Sequence, residues 1–182
     1  MAGQRVRREW GWHQLSDEFA RQIVTAAHVF PGDLVLDLGA GTGALTGPLL
    51  DAGARVLAVE LHPGRARRLR EQFAGRDVSV LEIDLADLRL PGRPFRVVAN
   101  PPYAHTTALV RTLTARGSAL TRADLVMQRQ AAVRLADRYA NSGRWNVTVG
   151  RPLPRRAFTP RPRVDSCILT IRPRHRHARR RN

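Results

Sequence analysis

The chain has 182 residues, enough for one domain with a sizeable core, and its formal net charge is +16. Its 31 basic Lys/Arg positions are all arginine, whose planar guanidinium can form two parallel hydrogen bonds with a phosphate. A domain this basic is expected to bind a polyanion, and nucleic acid is the polyanion we favour. Cys167 is the single cysteine, which excludes a disulfide framework and a cysteine-rich metal cluster.

Strand and helix patterns alternate along most of the chain. A basic arm at residues 1–15 precedes apolar residues at helical spacing, which predict a helix over residues 16–28. The predicted strands that follow lie at residues 34–38, 55–60, 78–83, 95–99 and 123–127. The predicted helices lie at residues 45–50, 63–73, 106–115 and 129–139. This alternation is typical of a parallel sheet with helices on both faces.

The last part of the chain changes character. Residues 145–149 and 166–171 are two predicted strands joined by a Pro/Arg loop with no helix between them, so we expect an antiparallel pair. The expected fold is therefore α/β and Rossmann-like, with a mostly parallel seven-stranded sheet. We assign residues 16–172 to this domain and residues 173–182 to a disordered basic tail. No apolar run approaches the roughly 20 residues of a transmembrane helix and the N-terminus lacks a signal peptide, so we expect a cytoplasmic protein.

A Gly-rich turn follows the first strand of the predicted sheet. Gly39, Gly41 and Gly43 lack a Cβ, so the backbone there can pass close to a cofactor. Glu60 ends the next strand and is placed to accept hydrogen bonds from ribose hydroxyls. This pair of features also occurs in nicotinamide-binding folds. Asp84 could accept from an adenine amino group, or could equally be a helix cap or turn acid.

Asn100-Pro101-Pro102-Tyr103 favours one cofactor, S-adenosyl-L-methionine, and one chemistry. The Asn100 side-chain oxygen and the Pro101 carbonyl can accept both hydrogens of an exocyclic amino group and direct its lone pair at a sulfonium methyl. No strong base is required, because the task is positioning and electrostatics. Tyr103 offers a surface on which a flipped-out base can stack. The alternative is a simple Pro-Pro turn at the end of a strand.

The chain resembles the rRNA adenine N6-methyltransferases, which comprise the Erm resistance enzymes and the small-subunit dimethyladenosine transferases. The matching segments are residues 37–46 (DLGAGTGALT), 58–63 (AVELHP), 84, 100–103 (NPPY), 125–134 (LVMQRQAAVR) and 158–166 (FTPRPRVDS). The resemblance covers residues 11–173 and is greatest to short actinobacterial Erm proteins, which share residues 10–13 (WGWH). It implies a class I S-adenosylmethionine-dependent methyltransferase fold. It also implies that Phe158 is a second aromatic wall of the base pocket, opposite Tyr103.

Two departures from the family pattern bear on the site. Relatives carry Gln-Asn-Phe-Leu before the first helix, whereas this chain has residues 12–15 (WHQL), so His13 and Leu15 are expected to keep cofactor contacts while the Gln is lost. Relatives also continue into a small helical domain, in place of which this chain has a basic tail. We therefore expect RNA affinity to come from the arm, the loop at residues 151–163 and the tail, and we expect reduced selectivity.

These features predict an adenine N6-methyltransferase of 23S rRNA, acting as a monomer. The resemblance implies resistance to macrolide, lincosamide and streptogramin B antibiotics. The alternatives are a 16S dimethyladenosine transferase, a DNA adenine methyltransferase, a protein glutamine methyltransferase and a non-catalytic nucleic-acid-binding factor. The charge disfavours a protein substrate, and the segment at residues 158–166 disfavours DNA.

Overall fold

The computed structural model describes residues 13–174, so most of the basic arm and residues 175–182 of the tail lie outside the described residues. The strands are β1 (Gln14–Leu15), β2 (Leu34–Leu38), β3 (Arg55–Val59), β4 (Val78–Leu81), β5 (Phe95–Ala99), β6 (Leu120–Gln128), β7 (Trp145–Leu153), β8 (Phe158–Thr159) and β9 (Ser166–Pro173). The helices are α1 (Asp17–Ala27), α2 (Thr46–Asp51), α3 (Pro63–Gln72), α4 (Thr106–Leu113) and α5 (Arg129–Tyr139).

The main sheet has seven strands in the order β4-β3-β2-β5-β6-β9-β7. Strands β4, β3, β2, β5 and β6 are parallel, and β9 is antiparallel to both of its neighbours. This confirms the predicted α/β fold with a mostly parallel seven-stranded sheet and an antiparallel pair at its end. The strand order reverses between β2 and β5, which is where open α/β sheets form a ligand crevice.

Two apolar layers cover the two faces of the sheet. Helices α1, α2 and α3 contribute Phe19, Leu49 and Leu69 to one layer, and helices α4 and α5 contribute Leu109 and Leu135 to the other. Covering both faces explains why the strands read as continuous apolar runs. Cys167 is fully buried in the second layer, where it packs as a small core residue. Within residues 13–174, no helix combines the length and apolarity needed to cross a bilayer.

The strand β7 is longer than predicted. It runs to Leu153 instead of ending at Val149, although Gly150 and Pro152 are unfavourable inside a strand. The pairing with β9 shifts between Val149 and Pro152, and β7 lies at the edge of the sheet. Proline is tolerated at such a position, because an edge strand or a bulge need not use its missing N–H.

A second, two-stranded sheet was not predicted. Strand β1 pairs antiparallel with β8, so that Gln14 lies opposite Thr159 and Leu15 lies opposite Phe158. Two-residue strands carry no usable hydrophobic periodicity, and their partners are far apart in the chain. The pairing attaches the segment before α1 to the segment at residues 158–166.

Candidate active site

A narrow cleft lies at the point where the strand order reverses. Three separate segments line it, and the lining residues are Gln14, Leu15, Asp37, Gly39, Ala40, Thr42, Ala44, Leu45 and Asn100. The Gly-rich turn after β2 and the amide after β5 therefore belong to one site. Leu15, Gly39 and Asn100 are the predicted cofactor residues that line it. The other predicted residues lie outside this lining, in surroundings described below.

The Gly-rich turn is attached to the end of β3 and packs against the two prolines. The N–H groups of Gly39 and Ala40 both donate to the Val59 carbonyl, at 2.8 and 2.9 Å. Gly39 has a φ of +79°, and a Cβ on it would lie 3.1 Å from Cδ of Pro102 and 3.3 Å from Cα of Pro101. Glycine is needed here because φ is positive and because a Cβ would crowd both prolines. The two sequence motifs thus contact each other directly.

Glu60 follows β3 and its carboxylate is already engaged by the protein. Its Oε2 accepts from the Gly41 N–H at 2.9 Å, and its Oε1 accepts from the His62 N–H at 2.8 Å. Arg65 forms an ion pair with the same Oε1 at 2.8 Å, and Glu60 is 3% exposed. Glu60 therefore fixes the Gly-rich turn, a role that its predicted function as a ribose acceptor did not include.

Asp84 caps a turn, which is the alternative role considered for it. Its Oδ1 accepts from the Ala86 N–H at 2.8 Å, at the start of a short 3-10 helix, Leu85–Asp87. Its Oδ2 accepts no hydrogen bond from the described residues. The predicted adenine contact therefore remains compatible with the cap, since one oxygen suffices for each.

The orientation of the Asn100 amide is set by the segment before α1. Its Nδ2 donates to the His13 backbone carbonyl at 2.7 Å. Within residues 13–174, neither the Asn100 Oδ1 nor the Pro101 carbonyl accepts a hydrogen bond. The two oxygens predicted to accept an amino group are thus both available. His13 itself is held through its Nδ1, which lies 2.8 Å from the Pro160 carbonyl oxygen.

Tyr103 is half-buried and is held by Ser166. The phenolic oxygen lies 2.6 Å from the Ser166 hydroxyl, and Ser166 is 2% exposed. Burial raises the pKa of Tyr103, although the hydrogen bond to Ser166 opposes this effect. The ring also lies beside that of His13, with centroids 5.7 Å apart at an interplanar angle of 36°. Ser166 ends the family-specific segment at residues 158–166, so that segment positions the predicted stacking surface.

Phe158 lies in the core and not on an open wall of the site. It is 2% exposed and belongs to the same apolar layer as Leu15, which faces it across the β1–β8 pair. A ring this buried has no accessible face for a nucleotide in this conformation. Sequence reasoning assigned its function from the family pattern and could not foresee the short strand pair that covers it.

Asp37 and Thr46 form a buried pair at the cleft that sequence reasoning did not single out. The Thr46 hydroxyl donates to Oδ2 of Asp37 at 2.7 Å, and Asp37 is 1% exposed. Burial raises the pKa of Asp37 to about 7, the Thr46 hydrogen bond lowers it, and the nearby Glu60 charge raises it further. A polar residue inside an apolar strand was the signal that could have identified Asp37.

Gln14 and Thr42 also line the cleft and were not predicted to be site residues. The Thr42 hydroxyl oxygen is buried and has no partner among the described residues. Gln14 stands two residues after Trp12, the position at which the family pattern has its glutamine. Both side chains add polar groups to the cleft, which suits a cofactor with amino, carboxyl and hydroxyl groups.

A wider groove of about 670 Å³ lies next to the Tyr103 site, and we refer to it as the basic groove. Its lining comprises Gln128, Arg129, Gln130, Val133, Arg134, Arg155, Arg163, Val164 and Asp165. Arg155 pairs with Asp165 at 3.2 Å, which leaves an excess of positive charge. Gln128 lies opposite Ser166 in the β6–β9 pair, so the groove begins beside the hydroxyl that contacts Tyr103.

The strand order, the lone antiparallel strand within it and the Gly-rich turn at the crevice define a Rossmann-like, S-adenosylmethionine-dependent methyltransferase. The family model for ribosomal RNA adenine dimethylase matches residues 3–181. The chain belongs to this family, and it is an enzyme of the class that transfers methyl groups to rRNA adenines. Asn100, the first residue of the Asn100–Tyr103 motif, lines the cleft.

Individual relatives fall into both branches of the family. The ribosomal RNA small subunit methyltransferase A of Thermosynechococcus vestitus is 37% identical, with 93% of this chain and 70% of that protein covered. The rRNA adenine N-6-methyltransferase of Corynebacterium diphtheriae is 35% identical, with 76% and 57% covered. The crystal structure of the 23S rRNA methyltransferase ErmE has a TM-score of 0.77 and 30% identity, with 88% and 70% covered. The chain thus spans between 57% and 70% of the lengths of these three relatives.

Proposed function

We propose that this protein methylates N6 of an adenine in ribosomal RNA, with Asn100 and Pro101 as the acceptors of the amino hydrogens. The observation that carries the proposal is the hydrogen bond from Asn100 Nδ2 to the His13 carbonyl, 2.7 Å long. Because this bond uses the donor end of the amide, the acceptor end is directed away from His13. An amide free to rotate would present its NH₂ group half of the time and repel the amino group.

The chemistry needs acceptors more than it needs a base. The adenine amino nitrogen is a poor nucleophile because its lone pair is delocalised into the ring, and hydrogen bonds from both of its hydrogens favour a tetrahedral nitrogen. Fixed acceptors require no reorganisation during the reaction, which is how preorganised sites accelerate it. S-adenosylmethionine supplies the methyl group, activated by the positive sulfur.

The residues that line the cleft and those beside it fit this cofactor. Gly39 and Gly41 give the close backbone approach, and Glu60, beside them, keeps acceptor capacity on one oxygen. The remaining residues proposed to contact the cofactor are His13, Gln14, Leu15, Asp37, Thr42, Asp84 and Asn100. The buried, unpartnered Thr42 hydroxyl supports a polar occupant, because such a group is costly unless a ligand satisfies it.

RNA contact is assigned to Tyr103 and the basic groove. Tyr103 keeps a partly exposed ring, and Ser166 and His13 hold it in place. Arg129, Arg134 and Arg163 line the adjacent groove and can neutralise the phosphates that flank a flipped-out adenosine. The positions of Arg155 and Arg163 in the lining of this groove support a contribution of the loop at residues 151–163 to RNA binding.

We assign small-subunit 16S rRNA as the substrate, which revises the 23S assignment made from sequence motifs. The support is the sequence relatives, most of which bear the small-subunit name, from cyanobacterial to chloroplast proteins. The spelling of the NPPY motif and of residues 10–13 had favoured the Erm branch, but both are short segments. Similarity over more than nine tenths of the chain is the broader support.

The second candidate substrate is 23S rRNA, with antibiotic resistance as its consequence. One observation favours it specifically, namely the fit to ErmE with a TM-score of 0.77 and 30% identity. The dimethyladenosine transferase of Plasmodium falciparum gives slightly lower values, 0.75 and 26%. The two candidates share every site residue discussed above and differ in the RNA that the protein recognises.

Transfer of labelled methyl groups to protein-free 16S and 23S rRNA, followed by mapping of the labelled adenine, distinguishes them. Label confined to adenines of 16S rRNA supports the proposed substrate. Label confined to 23S rRNA moves the protein to the Erm branch and leaves the chemistry intact. Absence of label on both RNAs, with cofactor binding intact, contradicts rRNA as the substrate.

A further inference from the structure

Arg65 forms the most enclosed ion pair at the cofactor side of the candidate site. Its Nε and Nη2 donate to Oε1 of Glu60 at 3.0 and 2.8 Å. The Arg65 side chain is 19% exposed and that of Glu60 is 4% exposed. Arg65 lies in the first turn of α3, directly after the segment that Glu60 begins. The pair therefore connects the start of α3 to the end of β3.

The two oxygens of Glu60 are unequally occupied. Oε1 accepts from Nε and Nη2 of Arg65 and from the His62 N–H, whereas Oε2 accepts only from the Gly41 N–H among the described residues. An ionised carboxylate has about four lone-pair positions, two on each oxygen. Oε1 is thus saturated, and the remaining acceptor capacity lies on Oε2.

We propose that Arg65 is a positioning residue that saturates Oε1 of Glu60 and leaves Oε2 as the oxygen that meets the cofactor ribose. This inference rests on the proposed function, in which Glu60 binds ribose. One free acceptor position can serve one hydroxyl well, so the two ribose hydroxyls contribute unequally to affinity. Arg65 thereby determines which part of the ribose the site recognises.

The fork of arginine is suited to this task. Two donors of one planar group converge on Oε1 while the Gly41 N–H holds Oε2, whereas a lysine ammonium would act on Oε1 as a single point of charge. Without Arg65, Oε1 would retain only the His62 donor, and both oxygens would become available to a ligand. Loss of Arg65 should therefore weaken cofactor binding and also reduce the difference between the hydroxyls.

Arg67 is the matched control on the same helix. It also forms an ion pair, with Glu71 at 3.4 Å, but both side chains are exposed, at 79% and 65%. Exposed pairs of this kind contribute little. Replacing Arg67 thus removes the same charge from the same helix without changing any contact of Glu60.

The test compares binding of S-adenosylhomocysteine with that of its 2′-deoxy and 3′-deoxy analogues by calorimetry. For the native protein we expect one deoxy analogue to bind about tenfold or more weakly than the other, since one lost charge-assisted hydrogen bond costs that much. Arg65→Met should weaken the parent ligand about tenfold and bring the two analogues within about threefold of each other. Arg65→Lys should restore part of the parent affinity but not the discrimination, and Arg67→Met should change none of the values.

Each outcome decides one question. Equal affinities of the two analogues for the native protein, or discrimination that persists in Arg65→Met, overturns the role of Arg65. A failure of all three ligands to bind the native protein contradicts the proposed function instead. If Arg65→Met does not fold, as judged by circular dichroism, the discrimination measured for Arg65→Lys decides the matter, and an unchanged ratio there counts against the inference.

Discussion

The Tyr103 phenol and the Ser166 hydroxyl share a hydrogen bond of 2.6 Å across 63 residues of sequence. Tyr103 follows β5, whereas Ser166 begins β9, so the bond joins the NPPY loop to the antiparallel end of the sheet. Ser166 is 2% exposed, which removes water as a substitute partner. This bond gives the Tyr103 ring, the proposed stacking surface, a fixed orientation.

We expect Ser166→Ala to reduce kcat/KM for RNA about fivefold, because one buried neutral hydrogen bond contributes about 1 kcal/mol. Tyr103→Phe removes the same bond from the other side and should cause a similar loss. Tyr103→Ala removes the ring itself and should cost far more, about 1–3 kcal/mol of base stacking in addition. Cofactor affinity, measured by calorimetry, should be unaffected in Ser166→Ala. A fall in that affinity would show that the bond supports the cofactor cleft instead.

Replacement of Asn100 tests the proposed acceptor. Asn100→Ala should abolish methyl transfer, because it removes one of the two proposed acceptors. S-adenosylmethionine should still bind, because Asn100 is only one of the residues that line the cleft. Asn100→Asp keeps an acceptor but loses the Nδ2 donor to the His13 carbonyl, and its carboxylate would face that carbonyl. We expect this variant to be nearly inactive as well. Single-turnover transfer at saturating cofactor measures both, and substantial activity of Asn100→Ala would contradict the mechanism.

Gly39→Ala should reduce activity by more than the strain of a left-handed backbone conformation alone would cause. A non-glycine residue in the left-handed region costs about 1–2 kcal/mol. Gly75 has the same φ of +79° as Gly39, and a Cβ there would contact nothing within 4 Å, so Gly75→Ala measures this strain alone. At Gly39 the new methyl also contacts Pro101 and Pro102 and displaces the loop that carries Asn100. We expect a loss of kcat on the order of 100-fold for Gly39→Ala and none for Gly75→Ala.

The raised pKa of Asp37, about 7, makes stability depend on pH in a defined direction. The folded state holds this proton up to about pH 7, whereas an unfolded chain releases it near pH 3.8. The stabilising contribution is therefore complete below about pH 4 and is lost as the pH rises to 7. Its size is on the order of 4 kcal/mol. The free energy of unfolding of Asp37→Asn, measured by urea denaturation, should lack this component. An equal dependence of the free energy of unfolding on pH in the native protein and in Asp37→Asn would contradict the raised pKa of Asp37.

The basic groove should determine the salt dependence of RNA binding. Replacement of Arg129, Arg134 and Arg163 by Gln should lower the slope of log K against log salt by about 2, given a slope of about 0.7 for each contact to a single strand. The control changes the same number of charges on α3, at the other end of the sheet, through Arg67, Arg68 and Arg70. Fluorescence anisotropy with a labelled RNA measures both slopes. Equal slopes for the two triple variants would assign RNA contact to a different surface.

The fold followed from the sequence because its signals are local. Apolar runs that end at Gly39, Glu60 and Asn100 mark strands whose carboxyl ends must meet at one edge of a parallel sheet. The length of β7 was missed because the sequence does not reveal that the strand lies at an edge, where Pro152 is tolerated. Local patterns thus determine which elements form, while edges and bulges depend on neighbours distant in sequence.

The arrangement of the site was only partly predictable for the same reason. Asn100 was identified, but its partner, His13, lies 87 residues away and contributes a backbone atom that no sequence pattern reports. Phe158 was expected on the surface of the base pocket, yet its ring is buried beside Leu15 by a strand pair of two residues. Sequence motifs indicated which residue types the chemistry needs, and tertiary contacts decide which of them are accessible.

The most direct test of the account is to identify the methylated atom. Ribosomal RNA treated with the protein and labelled S-adenosylmethionine would be digested to nucleosides and separated, with Asn100→Ala treated in parallel. We predict that the label elutes as N6-methylated adenosine with the native protein and is absent with the variant. Label on a different base, on ribose or on another adenine nitrogen would contradict the account, because the acceptors at Asn100 and Pro101 are arranged for an exocyclic amino group.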